Sequence, residues 1–207
     1  MAEGGAWPSI QQIGLRTTRQ LVEESDAGQD ARQEILGQRR RDSVRLSHDR
    51  VGPVVVRDQR PLQVHNLESA LTDMSVPQWL DVLNDRVFFW AHPARLERLL
   101  SARPYRGLTH DVLVLDTAAL LERHLDRVRL TGMNTGATIF PNPVRRGSDT
   151  FQTVEAFPFS ARRAAGRRLV DNVVEVCVLD GVDDVLDLVN RVERVRGGEV
   201  LETLFIR

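Results

Sequence analysis

Residues 173–178 read Val-Val-Glu-Val-Cys-Val. Valine at four of six positions predicts a β-strand. Successive side chains in a strand point to opposite faces. Val174, Val176 and Val178 therefore share one face, and Val173, Glu175 and Cys177 share the other. Either both faces are covered, and a carboxylate is buried at a cost of several kcal/mol unless paired, or the second face is wet and Glu175 is an ordinary solvent-facing residue. The covered case makes Glu175 a candidate working residue, because buried carboxylates concentrate at functional sites.

On the C-terminal side of this strand, Asp183 to Leu188 reads as a short helix. Asn190 to Val195 and Val200 to Ile206 read as a hairpin turning at Gly197-Gly198. On the N-terminal side lie residues 131–168, rich in Gly, Pro, Asn and Arg. A loop of that length within one domain is functional or disordered. Asn134, Thr135 and Gly136 offer polar recognition of a ligand. Arg145 and Arg146, followed by Asp149, Thr150 and Phe151, combine positive charge with an aromatic platform. That combination reads as a grip on single-stranded nucleic acid or, equally, as a mobile surface loop.

Toward the N-terminus, Pro8-Ser9 opens a helix with Ile10 and Ile13 inward and Gly14 at its end. Thr17 or Thr18 caps a second helix carrying Leu21 and Val22. Residues 23–50 are polar, with a helix near Asp30 to Leu36 followed by Arg39-Arg40-Arg41. This run is either a solvated face or a phosphate-facing patch. Val54-Val55-Val56 is a short strand leading into Arg57-Asp58-Gln59-Arg60-Pro61. Side chains just past a strand end are well placed to face a cleft. Arg57 suits a bidentate grip on a phosphate, oriented by Asp58; the alternative is a surface ion pair in a turn.

Asn66 is placed to cap a helix with Leu67 and Leu71, and Ser75 another with Pro77 in its first turn and Trp79, Leu80 and Leu83 inward. Val87-Phe88-Phe89-Trp90 reads as a buried strand, Leu96, Leu99 and Leu100 as a helix stripe, Asp111 to Asp116 as a strand and Thr117 to Arg123 as a helix. Strands and helices mix without regular βαβ alternation. The pattern predicts one α+β domain over residues 1–207, with a curved, mostly antiparallel sheet and flanking helices.

Bulk composition narrows the classes. The formal net charge is -1, so no global field draws the chain to nucleic acid or membrane, and such a partner needs a local patch. All 28 basic residues are arginine, which makes every basic surface a guanidinium surface. The single cysteine forbids an internal disulfide and fits a reducing compartment. With no membrane-length apolar run and no signal-peptide pattern, the expected location is the cytoplasm. The five histidines are scattered, so a metal site has little support. No GxGxxG, P-loop or GxSxG pattern is present. Cys177, in mid-strand, reads as a small core residue.

Several segments resemble known families. GAWPSIQQIGLRTT (5–18) resembles the opening helix of DarT-type DNA ADP-ribosyltransferases, RVFFW (86–90) their aromatic strand, and residues 173–192 the strand and turn that carry their catalytic glutamate. The chain is more similar still to an uncharacterised bacterial family marked by AWPSI…GL, RDQRP (57–61), RVFFW, HDVLVLDT (110–117), NTG (134–136) and RGSDTF (146–151), as these stand here. The likeness to the second family spans nearly the whole chain; the likeness to the first is partial.

The resemblance implies an ADP-ribosyltransferase-like fold, a split, curved, mostly antiparallel sheet with a cleft for NAD as substrate. Glu175 and Arg57 would be the catalytic pair: Glu175 polarising the nicotinamide ribose or deprotonating the acceptor, Arg57 holding NAD phosphates. Trp7, Ser9, Gln59, Phe89, Trp90, Asn134 and Thr135 would complete the NAD site. Arg145, Arg146, Asp149, Thr150 and Phe151 would present nucleic acid, with the DNA base single-stranded or flipped to reach the cleft. Both families carry a histidine just ahead of the opening helix that helps seat NAD, and this sequence has none there. Two other classes fit the same fold: cleavage of an N-glycosidic bond without NAD, and a non-catalytic nucleotide- or protein-binding module. A toxin, a repair enzyme and a phage-defence component would share these features.

Overall fold

The valine-rich stretch forms strand β7 (Glu175–Leu179), the middle strand of a three-stranded antiparallel sheet in the order β4 (Arg86–Trp90), β7, β6 (Val128–Thr131) in the computed structural model, which describes residues 1–207. A central strand has both edges paired, so what remains to be decided is its faces. Val176 and Val178 point into the main core with Trp7, Ile10, Leu130, Val182 and Val192. The opposite face, bearing Glu175 and Cys177, is covered by a second cluster of Leu62, Leu67, Trp79, Leu80 and Leu83, against which Phe88 and Phe151 pack. Both faces are thus largely covered: Cys177 is 0% exposed and Glu175 6%.

A second antiparallel sheet runs β1 (Ala2–Glu3), β5 (Thr109–Leu115), β8 (Val189–Arg196), β9 (Glu199–Ile206). It shares the main core with the first through Val189 and Val192. A third pair, β2 (Val44–His48) and β3 (Gly52–Val56), is a hairpin. Every ladder is antiparallel, and the α+β class expected from the sequence is what the chain adopts. The expected terminal hairpin is β8–β9. β9 lies at the sheet edge and carries two extra residues, Leu204 and Leu201, where its register against β8 shifts.

Ten helices fill the connections. α1 (Trp7–Ile13) starts with Pro8 in its first turn and stops at Gly14, whose φ of 75° and close approach to Val182 leave no space for a side chain: a Cβ there would lie 2.6 Å from the Val182 carbonyl. Its first turn is held by buried Asp111, whose Oδ2 accepts from the Gly5 and Trp7 amides at 2.9 and 3.0 Å. α2 (Thr18–Glu23) begins with a capping box between Thr17 and Gln20. α3 spans Gln29–Gly37, α4 Val64–Ala70, α5 Val76–Asn84, α6 Pro93–Ser101 and α7 Thr117–His124. α5 begins with a capping box between Ser75 and Gln78. None is long and apolar enough to cross a membrane.

Four expectations change. Asn66 does not cap α4: the helix starts two residues earlier, and the Asn66 amide donates instead to the Thr138 carbonyl at 2.8 Å. The polar stretch 23–50 contains β2, which the β3 partner strand recruits despite its charges. Residue 173 precedes β7 rather than opening it. Residues 131–168 are not a structureless loop. Thr135, Thr138 and Arg146 are buried, Leu130 and Gln152 form a bridge, and α8 (Phe159–Ala164) closes the segment, followed by α9 (Leu169–Asn172) and, after β7, α10 (Val185–Leu188).

Candidate active site

A cleft of about 230 Å³ opens beside the three-stranded sheet, against the segment that follows β3. Its walls are Arg57, Asp58, Gln59 and Pro61 just past β3; Phe88, Phe89 and Trp90 of β4; Leu99 of α6; and Met1, Tyr105, Asn134 and Gly136, with Glu175 also in the lining. Six residues of the expected catalytic pair and NAD site (Arg57, Gln59, Phe89, Trp90, Asn134 and Glu175), with Asp58 and Gly136 beside them, therefore line one cavity, although 118 positions separate Arg57 from Glu175.

The β3 exit is fixed from behind by Arg40. Its guanidinium is 8% exposed and donates to the carbonyls of Arg57 (3.0 Å) and Ile35 (2.8 Å) and to Asn84 Oδ1 (3.0 Å). Gln59 pairs with the Arg40 main chain in both directions, at 2.7 and 3.1 Å. Burial pulls the Arg40 pKa down to about 10. The Arg39–Arg41 run is thus neither a plain solvated face nor a phosphate patch. Arg39 donates to the Gln59 and Arg60 carbonyls, Arg40 is inside, and only Arg41 is exposed.

Arg57 sits in a cage of opposite and neutral partners. Nη1 lies 3.1 Å from His110 Nδ1, Nε 3.6 Å from Glu3, and Nη2 3.8 Å from Asp58, with the guanidinium 5.8 Å from the Tyr105 ring centre. His110 is wholly buried, and desolvation, then the Arg57 charge, lower its pKa. A neutral imidazole accepting through Nδ1 fits this contact and carries its proton on Nε2, which has no partner within the protein. Tyr105 donates to Asp58 Oδ1 at 2.8 Å, and burial followed by that bond raises the phenol pKa. The Arg57 Nε is buried and has no hydrogen-bond partner within the protein. An ordinary turn ion pair would not leave it so.

Glu175 is cross-strand partner to both Trp90 and Thr131. Its Oε2 accepts from the Thr135 amide at 3.1 Å and from the Thr135 hydroxyl at 2.7 Å. Desolvation pushes its pKa up to about 7, against the Thr135 bonds and the charges of Arg146 and Arg95, which pull it down. On the same face Cys177 is buried and its thiol is pushed up to about 12, first by desolvation.

The other sequence candidates lie elsewhere. Trp7 is 4% exposed in the core, its ring 5.8 Å from that of Phe205. It is a packing residue, because the helix it opens buries the face on which it lies. Ser9 is half-buried on α1 and does not line the cleft. Thr135 is 1% exposed and stands behind Glu175, so it bonds the carboxylate rather than a ligand. Of the nucleic-acid set, Arg145 and Asp149 are exposed and outside the cleft lining. Arg146 and Thr150 are buried, the first donating to main-chain carbonyls and the second accepting from the Gly147 amide at 2.8 Å. Phe151 is stacked on Trp79 at 5.7 Å and lies 6.1 Å from Phe88. Hydrophobic burial draws this ring inward, so the stacking platform expected of the loop is not formed by Phe151.

Sequence reading missed Tyr105 and His110. Tyr105 is the only tyrosine in the chain, in a turn without periodicity. His110 carried a usable signal, as a polar residue heading an apolar strand. A larger open depression, about 450 Å³ around residues 68–77, contains no buried ionisable group; its Asp73 is fully exposed and engaged by Ser148.

Fold and site together define an α+β protein with split antiparallel sheets and a buried carboxylate beside an aromatic and guanidinium wall. The chain belongs to a family of unknown function, DUF7002, whose model matches residues 1–189. No curated protein and no solved structure matches it.

Proposed function

We propose that this protein is an ADP-ribosyltransferase-like enzyme that uses NAD to modify nucleic acid, with a DNA base as acceptor. The observation that carries the reading is Glu175: a buried carboxylate lining the cleft, with Oε2 held by Thr135 and Oε1 free of protein partners. Loss of nicotinamide develops positive charge on the ribose, and a carboxylate fixed in a dry site stabilises that charge without reorganising. Trp90, the cross-strand neighbour of Glu175, offers apolar ring surface for the nicotinamide, and Arg57 in the cleft wall offers a guanidinium charge to the diphosphate. A volume of about 230 Å³ is below the roughly 300–1,000 Å³ of sites that enclose a whole ligand. It suits the nicotinamide–ribose end, with the adenosine end along the rim.

Incubation of the full chain with labelled NAD and single-stranded DNA tests this. Label transferred to DNA by wild type and lost in Glu175→Gln supports it. NAD and DNA left untouched by wild type sinks it, and free base released without NAD moves the reading to N-glycosidic cleavage. NAD binding with no turnover in any combination leaves a nucleotide-binding module.

A further inference from the structure

We infer that Arg146 is a positioning residue for the cleft carboxylate: its buried guanidinium locks the 134–137 turn so that Thr135 holds Glu175, and its charge faces Glu175 across Thr135. The inference deepens the proposed function, resting on Glu175 as the working carboxylate, yet its measurement needs no NAD.

Arg146 is 2% exposed, and its guanidinium bonds only to main-chain carbonyls: Thr135 (2.8 Å), Val144 (3.1 Å) and Ala137 (3.3 Å). Three carbonyls pointing at one centre match the planar fork of arginine and no shorter side chain. Its own backbone is clamped, the amide on Ala70 (3.0 Å) and the carbonyl accepting from Thr72 (3.1 Å). The α4–α5 frame is thereby wired to the turn whose residues Asn134 and Gly136 line the cleft. Thr135 is the shared link. Its N–H and O–H go to Glu175, and its C=O receives Arg146.

Charge acts alongside the wiring. The groups facing Glu175 are Arg146, Arg95 from α6, Cys177 on its own strand, and Arg57 in the cleft wall. Arg95 is ion-paired with Asp171, and Arg57 has Glu3 and Asp58 beside it. Arg146 has no carboxylate of its own within ion-pair distance, and Glu175 is the one charged group that moves its pKa. The buried guanidinium and the cleft carboxylate therefore balance each other through one residue, an arrangement that favours the ionised form of Glu175.

The test is a ¹³C NMR titration of the Glu175 carboxyl in the full chain, assigned by loss of its signal in Glu175→Gln. Arg146→Gln should raise the midpoint by about one unit or more, tenfold or more in the ionisation constant. Arg146→Lys, which keeps the charge but not the fork, should leave it within about half a unit. A folded Arg146→Gln variant with the wild-type midpoint overturns the proposal. Should that variant not fold, Arg146→Lys decides by a second reading. Hydrogen exchange at the Thr135 amide should quicken at least about tenfold as the fork is lost, and unchanged exchange overturns the proposal. A raised midpoint in a protein that never transfers ADP-ribose would sustain the role of Arg146 while removing the proposed reaction.

Discussion

Thr135 spends both of its donors on one oxygen of Glu175. The amide at 3.1 Å and the hydroxyl at 2.7 Å converge on Oε2, and no protein group bonds Oε1. One oxygen thus orients the carboxylate and the other is available to the cleft that Glu175 lines. Glu175→Gln keeps the shape and removes the charge. For the proposed reaction, the expected result is a loss of ADP-ribosyl transfer of at least about 10²–10³-fold, with NAD affinity by calorimetry changed far less.

In the proposed transfer, ionised Glu175 is the form that would stabilise an oxocarbenium-like centre. Because burial holds its pKa at about 7 in the free protein, kcat/KM should rise with pH across neutrality and level off above it. A rate that is flat between pH 5.5 and 8.5, roughly 1.5 units either side of that pKa, would remove Glu175 from the rate-determining step.

The same raised pKa acts on stability in a stated direction. A carboxyl whose folded pKa of about 7 exceeds its ordinary 4.5 favours folding while protonated, and that contribution disappears as pH rises through about 7. Its full extent is on the order of 3 kcal/mol. Wild type should therefore lose stability relative to Glu175→Gln between pH 5 and pH 8, on the order of 2 kcal/mol in urea melts.

Arg57 and Trp7, both candidates for the NAD site from sequence, should now behave oppositely. Arg57→Lys removes the fork beside His110 and should weaken NAD binding roughly 10- to 100-fold with little loss of stability. Trp7→Ala should cost about 3–5 kcal/mol of stability, read by denaturant melts, and leave NAD affinity of the folded fraction unchanged.

A carboxylate within a valine run was enough to single out Glu175, because period-two alternation makes an odd residue visible. The same signal marks Asp111, at the head of an apolar strand, and there the carboxylate only holds the turn before α1. Alternation thus finds buried charge but does not say whether it faces a cleft or a backbone. The cleft wall past β3 was legible because an arginine and a glutamine follow a strand directly. The inward turn of Arg146, Thr150 and Phe151 was not, since it depends on Trp79 and Thr135, which are respectively 67 and 11 residues from Arg146 in the chain and have no local pattern in common with it. Polar composition read as an exposed loop what tertiary hydrogen bonding had folded inside. β2 was hidden for a related reason: its exposed face is charged, and only pairing with β3 makes it a strand.

At the far edge of the four-stranded sheet, β9 exposes Val200, Leu201 and Ile206 beside a row of unpaired backbone groups. A flat strand from another molecule would ordinarily be templated by such an edge. The two extra residues, Leu201 and Leu204, put β9 out of step twice within eight positions, and Glu199 and Glu202 add repulsion toward a like copy. Straightening β9 by deleting both leucines should restore a flat, apolar edge on which a like copy could pair.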